Sequence, residues 1–327
     1  LKRILLIQTA FIGDVVLATP VVEKLHQHYP DAEIDFLLRK GHEDLFKGHP
    51  FIRKVLTFDK KHKLASLYHL LLKIRHRHYD AVINMHRFTS SGILTAFSGA
   101  REKIGFDKNP LSWFYTRKVP HIIGTGQHEI NRNLELITHL TDSNSQLPKL
   151  YPTEIDYQYI IGWKKNGKYI TISPSSVWFT KQWPKEKWIE LIRLVPASYP
   201  IYLLGGPNDK PICEDILKTS GRSQVYNLSG QLSFLQSAAL MKDAHMNYVN
   251  DSAPLHFASA MNAPTTAIYC STIPSFGFGP LSTLSRVAEI KEALACRPCG
   301  LHGHQQCPEG HFRCAVNQDA RWVMGEI

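Results

Sequence analysis

The feature that most constrains this chain is an alternation of short apolar runs with amphipathic segments. RILLIQ (3–8), EIDFLL (33–38), KVLTF (54–58) and DAVINM (80–85) have the length and apolar content of strands, with a weaker candidate at EKIGF (102–106). Between them, VVLATPVVEKLHQHY, SLYHLLLKIRHRH and SSGILTAFSG read as helices. Strands separated by helices do not pair as hairpins. They align in parallel, with helices covering both faces. The same grammar returns in the second half: YITISPS (169–175), WPKEKWIELIRLV, PIYLLGGPND (200–209), VYNLSG (225–230), LSFLQSAALMKDA, MNYVND and TTAIYCS. TDSNSQLPKLYPTEIDY (141–157) is polar, has two prolines and no period, and predicts a linker. The expected fold class is therefore α/β, with two doubly wound parallel-sheet halves, 1–150 and 151–327. A ligand cleft is expected between them, outside the carboxyl ends of the strands.

Composition narrows the partners. The net charge is +10, and it is lopsided: residues 1–150 hold 22 Lys+Arg against 14 Asp+Glu, and 12 of the 17 histidines. A basic half points to an anionic partner, a nucleic acid, an acidic membrane surface or a phosphorylated substrate, or else is simply a solvated surface. No helix-turn-helix, RNP or finger pattern supports nucleic acid. No apolar run reaches the ~18 residues that span a bilayer. Ile4 to Ile7 is too short for a signal-peptide core, so a cytoplasmic protein is expected.

Four strand ends carry chemistry. In IQTAFIGDVVLATP, Gly13-Asp14 joins a strand to a helix with too few glycines for a dinucleotide fingerprint. Asp14 is either a helix N-cap or a base kept ionised by the helix start. In SPSSVWFTKQWP (173–184), the small Ser173, Ser175 and Ser176 permit close approach of a ligand, and Lys181 is either a phosphate ligand or a solvated loop cation. In GGPND (205–209), Gly205 and Gly206 mark a tight turn, and Asn208 and Asp209 either meet a ribose or close an Asx-turn. In VNDSAPLHFASAMNAP (249–264), Asp251 and Ser252 precede a helix with Pro254 in its first turn. Such a start is an anion site, and His256 lies one turn in. No D-x-D occurs, so a metal-dependent sugar-nucleotide site of that type is not expected.

These residues are similar to those of the ADP-heptose:lipopolysaccharide heptosyltransferases, glycosyltransferase family 9, and look most like the heptosyltransferase II branch. IGDVVLATP, TKQWP and NDSAPLHFASAMNAPTTAIY carry the likeness in that order, with weaker matches at GAREKIGF, HEINRNLEL, LLGGPND and NLSGQLSFLQSAALM. The resemblance implies a GT-B fold: two Rossmann-like domains, with the donor bound mainly by the second and the acceptor by the first. It implies an inverting transfer from ADP-heptose to the lipopolysaccharide inner core, with no metal or other cofactor required. Asp14 then becomes the base, and Lys181 holds the diphosphate or heptose side. Asp251 meets the heptose hydroxyls, the backbone of Ser252 and Ala253 meets the diphosphate, and His256 completes the motif. Ser173, Ser175, Gly205 and Asp209 fall on the donor side, and Gly13, Arg87 and Lys108 on the acceptor side. One departure is Ala253-Pro254, where the family usually has glycine after the Asp-Ser/Thr pair.

The resemblance also implies an anionic lipopolysaccharide core and lipid A acceptor at the inner membrane. The runs KKHK (60–63), RHRH (75–78), REK (101–103) and RK (117–118) suit it, with peripheral association and no insertion. Trp113, Phe114 and Tyr115 are either bilayer contacts or a buried cluster. The tail CRPCGLHGHQQCPEGHFRC places Cys296, Cys299, Cys307 and Cys314 among three histidines. It reads as reduced thiols, a structural zinc site or, against the cytosolic redox poise, disulfides. The last helix is expected either to stay in its own half or to pack back on the first. Two other functions stay open: transfer from another nucleotide sugar, or non-catalytic sugar-nucleotide binding with Asp14 only a cap.

Overall fold

The computed structural model describes residues 1–164 and 167–325. The chain divides into two compact units, Leu1–Ile123 with Gln127–Tyr151, and Gly124–Gly126 with Pro152–Ile327. In the first, the strands are Arg3–Ile7 (β1), Glu33–Arg39 (β2), Ile52–Phe58 (β3), Ala81–Asn84 (β4), Glu102–Phe106 (β5) and Arg117–Val119 (β6). All pair in parallel, in the order β3-β2-β1-β4-β5-β6. The helices are Ile12–Val16 (α1), Thr19–His28 (α2), Lys63–Arg77 (α3), Thr89–Ala96 (α4) and Glu129–Glu135 (α5). The continuous helix expected over VVLATPVVEKLHQHY is in fact two, because Pro20 has no N–H to bond back and starts a new helix in its first turn.

The second unit repeats the order. Its strands are Ile170–Ser173 (β7), Ile201–Leu203 (β8), Val225–Asn227 (β9), Met246–Asn250 (β10), Thr265–Tyr269 (β11) and Ser285–Glu289 (β12). They are parallel, in the order β12-β11-β10-β7-β8-β9. The helices are Glu154–Ile160 (α6), Lys185–Leu194 (α7), Lys210–Ser220 (α8), Phe234–Lys242 (α9), Ala253–Ala260 (α10), Arg313–Val316 (α11) and Ala320–Met324 (α12). Within its own unit the last helix, α12, packs on α7 and β11. The edge strands β6 and β12 were not expected, because RKV and SRVAE are short and charged, as edge strands often are.

Burial on both faces explains the central strands. Ile4, Leu5, Leu6 and Ile7 are all fully buried, which a one-sided sheet would not allow. Leu5, Leu37 and Leu56 pack on one face with Leu70 and Ile74 of α3 and Leu94 of α4. In the second unit, Trp188, Ile189, Leu191 and Ile192 of α7 meet the sheet, and Trp183 stands edge-on to Trp188 at 5.0 Å. Each such side chain contributes about 1.5–3 kcal/mol. In both sheets the chain works outward from the central strand to one side and then crosses to the other. The reversal falls between β1 and β4 and between β7 and β10, where the loops after the strands diverge and leave room for a ligand.

The first unit also encloses neutral imidazoles. His42, His49 and His86 are each pushed down to about 4, burial being the main cause, with nearby cations adding to it for His42 and His86. The unfolded chain takes up these protons near pH ~6.5 and the folded chain only near the lowered values. Stability is therefore complete above about 6.5 and falls as pH drops toward 4. The two most buried, His49 and His86, should each cost up to roughly 3 kcal/mol across that window. Calorimetric melts on stepwise acidification should show the first unit's transition falling, and His49→Gln should flatten the trend.

Candidate functional site

The first unit gathers a charged cluster where β1 and β4 end. Gly13 and Asp14 lie in the first turn of α1, whose N-cap is Phe11. Asp14 is therefore the third helical residue, which removes the N-cap alternative and leaves the other reading open. Its Oδ2 reaches back to accept the Phe11 N–H at 3.1 Å. The helix start favours the ionised carboxylate, and the Phe11 bond turns it back toward the helix start. Asp14 is half-buried. Lys60, after β3, lies within electrostatic range: burial and Arg39 push its pKa down, and Asp14 opposes them. From the end of β4, His86 shares a 3.0 Å hydrogen bond between Nδ1 and Thr9 Oγ1, and its N–H donates to Asn84 Oδ1. Arg87 Nη1 lies 3.3 Å from His121 Nδ1, and His121 Nε2 lies 3.5 Å from Glu129. Glu129 also pairs with Arg132 at 2.7 Å. Burial raises the Glu129 pKa, but His121 and Arg132 outweigh it and hold the carboxyl below its ordinary value. Arg87 is thus braced from behind. Lys108 is exposed in the turn after β5.

Lys60, His86 and His121 were not singled out in the sequence. Lys60 entered only as part of the basic run KKHK that suits an anionic acceptor, and isolated histidines more often pack than act. Only the strand order brings them to one edge.

The second unit assembles the other cluster on the same plan. Ser173 closes β7, is buried, and its Oγ has no hydrogen-bond partner among the described residues. The loop that follows is tied to the end of β10 by a single carboxamide: Asn250 Nδ2 donates to the Pro174 carbonyl at 2.7 Å, and Asn250 Oδ1 accepts the Trp183 N–H at 3.0 Å. This clamp delivers Lys181 to Asp251, with Nζ to Oδ2 at 2.7 Å. Their side chains are 14% and 7% exposed, so the pair is buried. Thr272 Oγ1 donates to the same Asp251 oxygen at 2.6 Å.

The cysteine-bearing tail braces this pair. His304 N–H donates to Thr180 Oγ1 at 2.7 Å, and Thr180 N–H returns to the His304 carbonyl at 3.1 Å. Gly303 passes so close that a Cβ there would lie 2.8 Å from Thr180 Oγ1. Arg297 donates to the carbonyls of Cys270 and Thr272 and pairs with Glu289 at 2.6 Å. Cys296, Cys299, Cys307 and Cys314, the candidate zinc ligands, lie within electrostatic range of one another: burial first, and then the other three thiols, push Cys314 up to about 11. Among the described residues no three His, Cys, Asp or Glu side chains converge as metal ligands, and all four cysteines are free thiols. Cys299 Sγ donates instead to the Cys296 carbonyl.

Ser252 is the N-cap of α10, with no side-chain cap bond, and Pro254 follows in the first turn. Ala253 is not among the residues with positive φ, so its N–H takes the ordinary helical direction despite the missing glycine. His256 is buried one turn in, near the Phe278 ring. Ser175 is half-buried in the loop after β7. At the end of β8, Asp209 Oδ2 accepts the Gly206 N–H at 2.7 Å, and a Cβ on Gly205 would lie 2.7 Å from the Asp209 Cβ. Asp209 thus closes its own turn. Chemically, Lys181 offers a cation to a phosphate, Asp251 offers an acceptor to hydroxyls, and α10 offers its first-turn N–H groups to an anion.

Removing one member of a buried pair strands the other charge. Lys181→Met should cost about 3 kcal/mol, and Lys181→Met with Asp251→Asn should cost less than the sum of the singles. Urea unfolding followed by tryptophan emission will read this, since five of the six tryptophans lie beyond residue 151.

The profile of glycosyltransferase family 9 (heptosyltransferase) matches residues 67–310. Lipopolysaccharide heptosyltransferase 3 of Escherichia coli is 28% identical over 282 residues, covering 80% of this chain and 82% of that protein. The structure of E. coli ADP-heptose LPS heptosyltransferase II aligns with a TM-score of 0.81 at 20% identity, over 99% of this chain and 96% of that one. E. coli heptosyltransferase WaaC, solved with ADP, aligns with a TM-score of 0.71 at 21% identity, over 88% of this chain and 92% of that one. Likeness at this identity shows the fold, the GT-B pairing of two Rossmann-like units. With the profile spanning well over half of the residues, the chain belongs to glycosyltransferase family 9, the heptosyltransferases.

Proposed function

We propose that this glycosyltransferase moves heptose from ADP-heptose to a hydroxyl of the lipopolysaccharide inner core, with inversion and without a metal. The observation that carries this reading is the buried Lys181–Asp251 pair at the switch point of the second sheet. A nucleoside diphosphate sugar needs a cation for its diphosphate and acceptors for its hydroxyls, and here the two stand 2.7 Å apart. In this reading Lys181 and the N–H groups of Ser252 and Ala253 take the charge of the departing ADP, Asp251 holds heptose hydroxyls, and His256 supports the helix start. Ser173, Ser175, Gly205 and Asp209 border the donor. The matched relatives include lipopolysaccharide heptosyltransferases 3 and 1 and a lipooligosaccharide heptosyltransferase 2, at 24–28% identity. The heptosyltransferase II-like assignment therefore rests on motif content.

Asp14 acts as the base. Its carboxylate takes the proton of the acceptor hydroxyl as that oxygen bonds to the anomeric carbon. The bond to the diphosphate breaks on the opposite face, which inverts the centre. Gly13, Arg87 and Lys108 line the acceptor side, with Arg87 meeting acidic sugars or phosphates. The protein works at the cytoplasmic face of the inner membrane, held peripherally. No helix among the described residues is long and apolar enough to cross a membrane. Trp113 is 74% exposed and lies against Phe114, while Tyr115 is buried and bonded to Asn84. Two of the three aromatics therefore face outward, as interfacial contacts do.

Asp14→Asn keeps an acceptor for the Phe11 N–H and removes the base. Transfer should fall by at least ~100-fold, with ADP-heptose affinity by calorimetry unchanged. Near wild-type transfer would overturn the assignment. Transfer should also persist in excess chelator, and its loss and recovery with added divalent ion would overturn the metal-free reading.

A further inference from the structure

At the opposite edge of the first sheet, where β1, β2 and β3 begin, lies a cavity of about 290 Å³. That is near the lower end for small-molecule pockets, about 300 Å³, and ample for a phosphate ester. Its wall is strongly cationic: Arg3, Arg53, Lys54, Lys73 and Arg77, with His76 beside them. Two carboxylates stand against these charges. Asp35 lines the cavity, is 1% exposed, and binds Arg53 and the Tyr79 hydroxyl, both through Oδ2 at 2.5 Å. Glu33 pairs with Arg3 and Arg77. Lys54 and Lys73 have no carboxylate within 4.0 Å among the described residues, so the wall keeps an excess of positive charge.

Two buried polar atoms at this cavity lack partners among the described residues: Asp35 Oδ1, an acceptor, and Arg77 Nε, a donor. Leaving such atoms unmatched costs ~1–3 kcal/mol each. A phosphate group with an adjacent hydroxyl carries the complementary groups, anionic oxygens for the Arg77 donor and an O–H for the Asp35 acceptor.

The neighbourhood identifies the source. Arg75, in the last turn of α3, donates to the Phe97 carbonyl at 3.1 Å. The Phe97 ring lies 5.5 Å from Phe114, and Phe114 lies 4.6 Å from Trp113. All three rings are exposed. Interfacial aromatics beside a cationic pocket form the pairing that meets an acidic bilayer, with rings at headgroup depth and cations on phosphates. We propose that this cavity is a headgroup site for a phosphate ester of the membrane surface, separate from the acceptor residues around Asp14. It gives residues to the peripheral-association part of the proposed function and does not depend on which sugar is transferred.

The test uses the full chain, vesicles of phosphatidylcholine with and without phosphatidylglycerol, and soluble glycerol 1-phosphate as a separate ligand. Lys54→Gln/Lys73→Gln alters exposed side chains. Lys218→Gln/Lys242→Gln removes the same charge from the second unit. The pocket variant should weaken binding to phosphatidylglycerol vesicles and to glycerol 1-phosphate by about tenfold each, and the control should leave both unchanged. Loss for glycerol 1-phosphate alone would assign the pocket to a free phosphate and overturn the headgroup site. Equal loss in pocket variant and control, no loss in either, or no vesicle binding by the wild type would overturn it as well. Neither arm uses the transfer reaction, so failure here leaves the heptosyl reading standing.

Discussion

Everything functional in this protein depends on the reversal of strand order at the centre of each parallel sheet. A right-handed crossover from a central strand covers one face, and a crossover to the other side covers the opposite face. The loops leaving β1 and β4, and those leaving β7 and β10, must therefore part. Parallel strands also place every carboxyl end on one edge, so residues far apart in sequence share a rim. Asp14, Lys60 and His86 lie after different strands, and still Lys60 senses the charge of Asp14 and His86 that of Lys60. Lys181 and Asp251 are seventy residues apart and in contact.

That geometry opens a space, and polar ties decide what fills it. Asn250 is the central tie of the second unit, because one carboxamide holds both the loop carrying Lys181 and the strand carrying Asp251. Thr272 and Thr180 extend the arrangement outward, and Arg297 and His304 secure it from the tail. The cysteine-rich segment contributes to this arrangement through its arginine, its glycine and its backbone. Buried ions are expensive unless every lone pair is met, and the Lys181–Asp251–Thr272 cluster shows how that cost is contained. The first unit uses a lighter device, a backbone bond from Phe11 that helps aim Asp14 while leaving the carboxylate half-exposed.

Much of this was legible beforehand because parallel sheets write themselves as buried apolar runs. The four strand-end motifs stood out where glycine, proline or a charge interrupted such a run. What escaped notice has particular causes. The edge strands β6 and β12 carry too little apolar content to register. The break before Pro20 was hidden by the apolar residues on both sides. Asp14 looked like a cap because Asp favours that position, and only the backbone showed that the helix begins two residues earlier. Asn250, Thr272 and Arg297 belong to residue types with many roles, and they have partners as far as 76 positions away.

The amino-acid sequence by itself determined the local grammar: which central segments are buried strands, that helices lie between them, and that charged residues sit at the seams. It did so because those properties depend on neighbours a few residues apart. Tertiary structure alone decided which seams meet. Pairing Lys181 with Asp251, bracing Arg87 through His121, and collecting Arg53, Lys73 and Arg77 around the buried Asp35 all depend on strand order and register. Those are set by the sum of long-range packing contacts, to which no short stretch of sequence is sensitive.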